Sequence, residues 1–348
     1  VWMSLDGGDA WQELEGGLPT VPVDDIVIHP RDNDLILGTH GRGVWIMDDI
    51  GGLEVLPRQA VSDPETFALA PISPAYSYNT YGPQQWTPGI FASENGNSGE
   101  ATMTLWLGED IADRAQVAHV EILDAAGTPI RELEIDELSS GLVRDGWNLR
   151  MAMRGPDGEW WPQGPRVAPG RYTARVTLRD ADGNAVSATE AQEFEVILDP
   201  RGGLTPSEIA QRTAAQMESY RLWAPTAAAQ QALRRADSAL DDEAERLEDA
   251  GDPPAGTLER IQAARERIDE LGDLLGDAAS GAQVWRDVER TSTPVEAAWL
   301  EWIDTSWAEL PGAISEVNTW IESEWPDLAE LLPEGDRPEV EPAPMPTR

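Results

Sequence analysis

The hydrophobic period of the chain changes near residue 203, and this change constrains the fold more than any other feature. Before that point apolar residues alternate with polar ones in short runs separated by Gly, Asp and Pro, which is typical of β-strands. Beyond it apolar residues recur at spacings of three and four, as in Leu233, Ala236 and Leu240, which is typical of amphipathic helices. The sequence therefore predicts a multidomain chain that is β first and α afterwards.

The 348 residues are enough for two or three domains of ordinary size. We predict five segments: a β-blade over 1–56, an extended, proline-punctuated linker over 57–80, a β-sandwich over 81–200, a helical bundle over 204–332 and a disordered tail over 333–348. Disorder is expected for the tail because it is rich in Pro and Glu. Because Val1 already lies in a predicted strand, we expect the chain to be the C-terminal part of a longer protein.

The charge of the chain disfavours several classes of partner. The formal net charge is −39 and every basic residue is an arginine, so nucleic acid and anionic membrane surfaces are not expected partners. Two causes of the acidity stay open: a GC-rich genome, which favours Arg over Lys, and life in salt, which predicts that removing salt destabilises the fold. The absence of cysteine excludes disulfides and thiolate chemistry, and no apolar run is long enough to span a membrane.

A glycine turn near the N-terminus is the most specific local pattern. Ser4-Leu5-Asp6-Gly7-Gly8-Asp9-Ala10-Trp11 places two glycines, which tolerate positive φ, between two short apolar runs. Ser4 and Asp6 can accept hydrogen bonds from N–H groups of the turn, and Trp11 can fold back over it as an apolar plug. We interpret Ser4, Asp6, Gly8 and Trp11 as structural. A catalytic or metal-binding Asp6 is the less favoured alternative.

The pattern Ser-x-Asp-x-Gly-x-x-Trp resembles the Asp-box (BNR) repeat of sialidase-like and sortilin-like β-propellers. Val-Pro-Val-x-Asp-Ile, His-Pro-Arg-Asp and Gly-Thr-His-Gly-Arg-Gly-Val-Trp follow it within 21–45, and this order is similar to the last blade of a bacterial sortilin-like propeller family. The resemblance implies a secreted protein, extracellular or periplasmic. One blade cannot bury both of its faces alone, so its expected partners are the further N-terminal blades of the same protein.

A second resemblance covers part of the predicted sandwich. The segments at 122–133, 146–150 and 167–176 resemble the flagellar-hook-capping (FlgD-like) immunoglobulin module. Seven short strands in about a hundred residues independently predict an immunoglobulin-like β-sandwich. The resemblance implies a non-catalytic accessory domain.

Four residues are possible ligand-binding residues. His40 and Arg42 lie beside glycines in a predicted tight hairpin, and Trp160 and Trp161 lie in a Gly- and Pro-rich loop. Polar loop residues often carry function, and adjacent tryptophans can stack on a sugar. The favoured alternatives are that His40 and Arg42 complete the turn and that the tryptophans fold over a sheet edge.

The helical region begins with a capping box, Thr205-Pro206-Ser207-Glu208, which has Pro at the first helical position. We predict that this helix ends near Trp223 because Pro225 interrupts it. Two further helices are expected to form an antiparallel hairpin across the break at 251–254, and two more follow from about Thr293. Their apolar stripes are interpreted as core.

The sequence contains no recognisable catalytic motif. It has three histidines, no cysteine and no phosphate-binding glycine loop. Asp180 and Asp182 belong to an Asp-x-Asp-Gly-Asn pattern that lacks the terminal Glu of a calcium loop. We therefore predict no catalytic residue, metal or cofactor, and a structural and interaction region that binds protein or carbohydrate. The alternative is the C-terminal part of a sialidase-like or glucanase-like glycoside hydrolase, whose catalytic carboxylates would lie in the N-terminal blades.

Overall fold

In a computed structural model the chain forms two compact units, one of residues 1–151 and 166–200 and one of residues 152–165 and 201–348. The structure describes residues 1–4, 6–14, 20–54, 63–77, 100–154, 160–161, 164–251, 254–291 and 293–348, and for 12, 153–154, 160–161 and 201 it describes the backbone. Residues 57–62 and 78–80 of the predicted linker and residues 81–99 of the predicted sandwich lie outside these residues. The rest of the predicted linker is not free extended chain, because Phe67–Leu69 and Ala75–Ser77 within it pair with strands of two sheets. The first unit consists mainly of β-sheets and the second mainly of helices, which confirms the predicted order of the two classes.

The first unit contains fourteen described strands and two short helices. In chain order they are β1 (Trp2–Met3), β2 (Gln12–Glu13), β3 (Val23–Ile28), β4 (Leu35–Thr39), β5 (Val44–Met47), α1 (Gly51–Glu54), β6 (Phe67–Leu69), β7 (Ala75–Ser77), β8 (Ala101–Leu107), α2 (Glu109–Ala112), β9 (Val117–Leu123), β10 (Pro129–Ile135), β11 (Gly141–Trp147), β14 (Gly170–Arg179), β15 (Ala185–Ala188) and β16 (Gln192–Leu198). The hairpin of β12 (Met153–Arg154) and β13 (Trp160–Trp161) is grouped with the second unit.

The N-terminal strands form two separate antiparallel pieces. β1 pairs with β2 over two residue pairs, and β3, β4 and β5 form a three-stranded sheet, the N-terminal sheet, in that spatial order. In its register Ile26 lies opposite Leu37, and Ile36 lies opposite both Val27 and Ile46.

Two further sheets share one hydrophobic core. The larger has the order β10-β9-β14-β16-β7 with β15 attached to β14, and the smaller has the order β11-β8-β6. Met103 and Leu105 of the smaller sheet lie in the same buried cluster as Val120 and Val176 of the larger. Trp147, fully buried, belongs to this cluster too.

Strand β8 is buried on both of its faces. Its alternate residues, including Met103 and Leu105, belong to the core shared with the larger sheet, whereas Trp106 belongs to a different cluster that includes Leu35 and Leu37 of β4. The smaller sheet therefore lies between the larger sheet and the N-terminal sheet within this unit. One face of β4 is covered in this way.

The second unit contains five α-helices among its described residues: α3 (Pro206–Ala250), α4 (Thr257–Ala278), α5 (Val284–Arg290), α6 (Ala297–Ser323) and α7 (Trp325–Ala329). The predicted capping box is confirmed, because Thr205 and Glu208 bond reciprocally at the start of α3. The predicted break at Pro225 is wrong, since α3 continues through it to Ala250. A second proline, Pro311, likewise lies inside α6, where the sequence predicts two helices.

Burial explains why Pro225 does not end the helix. An internal proline costs about 3 kcal/mol through its missing N–H and its steric clash. Leu222, Trp223 and Thr226 around it are all buried, and the Thr226 hydroxyl donates to the Leu222 carbonyl over 2.7 Å. We infer that packing of this segment outweighs the local cost of the proline.

The helical core is joined by a buried polar contact at Gly281. Its carbonyl accepts from Ser219 Oγ at 2.6 Å and its N–H donates to Ser306 Oγ at 2.8 Å. Ser219 Oγ also accepts from the Trp285 N–H at 2.9 Å. Both serines are fully buried, so these bonds link α3, α5 and α6 without leaving the hydroxyls unpaired.

The segment from 333 to 348, which the sequence predicts to be disordered, contains no helix or strand, turns at 334–336 and lies against the helices. Ala343 is 5% exposed and its N–H and C=O both bond to the Asn318 side chain. Proline fixes φ and so lowers the entropy that must be lost to hold a chain extended. Composition alone does not reveal this, because the partner residue lies on another element.

None of the helices in the described parts of the chain combines the length and the apolar character needed to cross a bilayer.

Candidate functional site

The turn that contains Ser4, Asp6 and Gly8 is closed by hydrogen bonds to two side chains. Ser4 Oγ donates to Asp6 Oδ1 over 2.7 Å and accepts from the Gly8 N–H over 2.7 Å. The same Asp6 oxygen accepts from the N–H groups of Asp9 and Ala10, each at 3.0 Å. These bonds, the one from Ala10 above all, hold the pKa of Asp6 below its ordinary value. Bonds of this kind favour a structural role for the carboxylate.

Trp11 closes the turn but does not fill a core. Its Nε1 donates to the Gly8 carbonyl over 3.2 Å, while the side chain stays 61% exposed, as does that of Trp2. Gly8 has a φ of 101°, which a side chain rarely adopts. The hairpin is only two residue pairs long, so it has no broad face under which an indole can be buried.

The N-terminal sheet exposes branched aliphatic side chains on both of its faces. On the face that carries Leu35 and Leu37, the edge-strand residues Ile26 and Ile28 are 55% and 48% exposed. On the opposite face Val27, Val44 and Ile46 are 48%, 66% and 54% exposed. We call these five residues the aliphatic patches. Clustered exposed apolar residues mark interaction sites more often than single ones do.

The sequence analysis predicted that this segment is a blade but did not single out the aliphatic patches. The available signal is that Ile26, Val27 and Ile28 are consecutive, so a strand there presents apolar side chains to both faces. Strand alternation alone assigns one face to the core and one to solvent.

His40 and Arg42 lie in the β4–β5 turn, where Gly41 and Gly43 have φ of 81° and 76°. His40 Nδ1 lies 3.2 Å from Asp24 Oδ2, with both side chains mostly exposed. The Arg42 carbonyl accepts from Trp45 Nε1 over 3.1 Å. The two residues are near each other along one loop, and this geometry fits completion of the turn.

The other predicted ligand residues stay predictions. Trp160 and Trp161 form β13, which pairs with β12, and their side chains lie outside the described residues. Asp180, of the calcium-like pattern, accepts from the N–H groups of Asp182 and Asn184 at 3.0 and 2.8 Å, as a turn-capping aspartate does.

Within the described residues one group, His29, Asp32 and Asp34, has ligand atoms close enough together to hold a metal ion. Arg31 already contacts both Asp32 oxygens at 2.7 and 2.6 Å, and Asp34 Oδ1 accepts from the Asp49 N–H at 3.1 Å. These contacts account for the carboxylates as parts of the β3–β4 turn.

An acidic cluster lies where the N-terminal sheet meets β11. Arg144 Nη2 donates to the carbonyls of Asp48 and Asp49 at 2.5 and 2.8 Å. Partial burial, then the nearby Asp34, raise the pKa of Asp48, although the charge of Arg144 opposes the rise. Burial, then Asp145 and Asp48, raise the pKa of Glu100.

These shifts predict a pH dependence of stability. A carboxyl whose pKa is raised by folding contributes stability below its unfolded pKa and loses it as the pH rises through the folded pKa. We therefore expect E100Q to raise the melting temperature of the first unit at pH 7.5 and to leave it nearly unchanged near pH 4. Thermal unfolding followed by near-UV circular dichroism at both pH values measures this.

The control for this test is E134Q, which alters an exposed carboxylate on β10. An equal gain at pH 7.5 in both variants would show that net charge, rather than the environment of Glu100, sets the pH dependence.

No protein-family model and no curated protein matches this chain. Among solved structures, dimeric latent PorU from Porphyromonas gingivalis aligns at 14% identity and a TM-score of 0.26, over 48% of this chain and 12% of PorU. CopC from Methylosinus trichosporium OB3b aligns at 20% identity and a TM-score of 0.15, over 28% of this chain and 76% of CopC. The chain thus spans a small part of PorU, and both likenesses are weak. They carry no argument about function.

Proposed function

We propose that this chain is a non-catalytic structural and interaction region of a secreted, extracellular or periplasmic Asp-box β-propeller protein. In this proposal the N-terminal sheet and the Asp-box hairpin belong to a terminal blade, and the partner is the adjoining blade surface of the same protein. The aliphatic patches carry the proposal, because a blade without its neighbour presents exposed aliphatic residues, as this sheet does on the face of Val27 and Ile46 and along the edge strand of its partly covered opposite face.

The proposal assigns an immunoglobulin-like accessory module to the two sheets that share one core, β10-β9-β14-β16-β7 with β15, and β11-β8-β6. Support comes from Tyr172, whose hydroxyl donates to the Ala168 carbonyl four residues upstream at 2.7 Å, a bond similar to the tyrosine corner of such domains. Trp147 packs edge-on against Tyr172 and Phe194 with ring centroids 5.8 and 6.0 Å apart. Burial raises the pKa of Tyr172 to about 12, so the hydroxyl stays a donor at neutral pH.

The test of the docking proposal uses the full chain and the patch on one face. The double variant V27T/I46T keeps β-branched side chains but makes that face more polar. We expect it to lower the fluorescence of the dye ANS by roughly half, and to reduce self-association in sedimentation velocity, since exposed apolar surface drives both. Self-association is measured because other copies of this chain present the same exposed apolar sheet face. They can therefore take the place of the adjoining blade in the experiment.

The matched control is L274T on α4, whose leucine is 38% exposed outside the N-terminal sheet. If L274T and V27T/I46T lower dye binding equally, or if the wild-type chain neither binds dye nor associates, the patches are not a docking surface. No observation on the described residues specifically favours the glycoside hydrolase alternative, which stays a prediction from the Asp-box resemblance.

A further inference from the structure

The C-terminal tail is held through its main chain by one side chain of α6. Asn318 Nδ2 donates to the Ala343 carbonyl at 2.8 Å, and Asn318 Oδ1 accepts from the Ala343 N–H at 2.7 Å. This pair of bonds satisfies both main-chain polar groups of one residue, much as a neighbouring β-strand does. These two bonds therefore recognise an extended backbone, and neither of them involves the side chain of the bonded residue.

Four further contacts anchor the tail on either side of Ala343. Arg235 of α3 donates to the Glu339 carbonyl at 3.4 Å. Val340 packs against the helical core. At the end of the chain the Arg348 guanidinium lies 5.2 Å from the ring centroid of Trp307 and 3.5 Å from Asp304 Oδ1. The helical residues Arg235, Asp304, Trp307 and Asn318 define what we call the tail groove.

The tail sequence suits such a groove. Prolines at 338, 342, 344 and 346 favour an extended backbone before binding, which reduces the entropy lost on docking. Ala343, between two of them, is 5% exposed, so the groove has room for a small side chain there. Met345 by contrast is 47% exposed.

A cavity lies beside the start of the tail, and a buried donor near its end has no acceptor among the described residues. Leu332, Pro333, Asp336 and Pro338 line one side of an open cavity of about 560 Å³, with α3 on the other side. The Nε1 of Trp307 is buried and has no acceptor among the described residues. A longer or differently placed ligand carbonyl could accept that hydrogen bond, which the tail leaves unmade.

From these contacts we infer that the tail groove is a binding site for an extended peptide segment of another protein, with a small residue between two prolines. The tail is its intramolecular occupant. A short linker gives the tail an effective concentration on the order of millimolar. A partner peptide must therefore bind the groove more tightly than the tail does, or bind a chain whose tail has left the groove.

The test uses the full chain and a fluorescent peptide with the sequence of residues 338–348. A343R places a long side chain where only a small one fits and so releases the tail. We expect the peptide to bind A343R at least about tenfold more tightly than the wild type, measured by fluorescence anisotropy, because the competing tail is gone. The labelled peptide is expected not to bind the double variant A343R/N318A. A peptide carrying Arg in place of Ala343 is expected not to bind A343R.

The melting temperature and helical circular dichroism of A343R establish that the helices stay folded. If they do and the peptide does not bind, the tail is a fixed brace and the inference fails. If A343R unfolds, hydrogen exchange of the wild-type tail decides. Excess unlabelled peptide should speed exchange at Ala343, and unchanged exchange at saturating peptide overturns the inference. A wild-type dimer that A343R abolishes would also overturn it, in favour of tail exchange between two copies.

Discussion

Replacing Gly281 with alanine is expected to lower the free energy of unfolding of the helical unit by about 3 kcal/mol or more. A Cβ at this position would lie 2.5 Å from the Trp302 carbonyl oxygen and 2.6 Å from Ile303 Cα. Both are backbone atoms of α6, so a rotamer change cannot relieve the clash. Moving the chain apart would also stretch the two buried bonds that Gly281 makes to Ser219 and Ser306.

Urea unfolding followed by circular dichroism at 222 nm measures this change. The matched control is G272A in α4, where no atom apart from the chain neighbours and the local helix backbone lies within 4 Å of the added Cβ. Because glycine weakens a helix interior relative to alanine, this control should raise stability by roughly 0.5–1 kcal/mol. Equal effects of the two substitutions would contradict the close approach of α6 at Gly281.

Replacing Arg212 with methionine is expected to destabilise the helical unit by about 3 kcal/mol. Arg212 is 8% exposed, and its guanidinium donates to the carbonyls of Val288, Thr291 and Thr293 and to the Thr291 hydroxyl. Burial lowers the pKa of Arg212. Methionine fills similar space but donates nothing, so the carbonyls of Val288, Thr291 and Thr293 lose the guanidinium as a donor.

The same urea experiment on R221M provides the comparison, because Arg221 lies exposed on the same helix. That control should change stability by less than about 0.5 kcal/mol. R212K should fall between wild type and R212M, since its ammonium can reach fewer of the acceptors than the guanidinium fork. A loss in R212M no larger than in R221M would show that water replaces the guanidinium.

Patterns that depend on neighbours in sequence were predictable here. The change of period placed strands before helices, and the capping box at Thr205 and Glu208 is local in sequence and is observed. The turn bonds of Asp6 likewise come from residues within four positions. Such features follow from backbone chemistry that any folded context must satisfy.

Features that depend on distant partners were not predictable. Pro225 and Pro311 suggest helix ends, yet both lie inside helices whose surroundings are packed. The tail reads as disordered because Asn318, which bonds Ala343, lies on α6. Nothing around Gly281 in the sequence indicates that another helix passes against its Cα. In each case tertiary packing outweighs a weak local preference.

Because both faces of β8 are buried, few substitutions in this strand can be tolerated. A strand on the outside of a sandwich tolerates polar substitution at every second position. β8 lacks that freedom, because Leu105 and Trp106 are neighbours in sequence and each fills a different core. A one-residue slip would exchange the two sets of side chains between cores of different shape. The seven residues of β8 therefore pack into cores on both sides of the strand. A substitution in β8 must fit the core that it faces without shifting the strand against the other core.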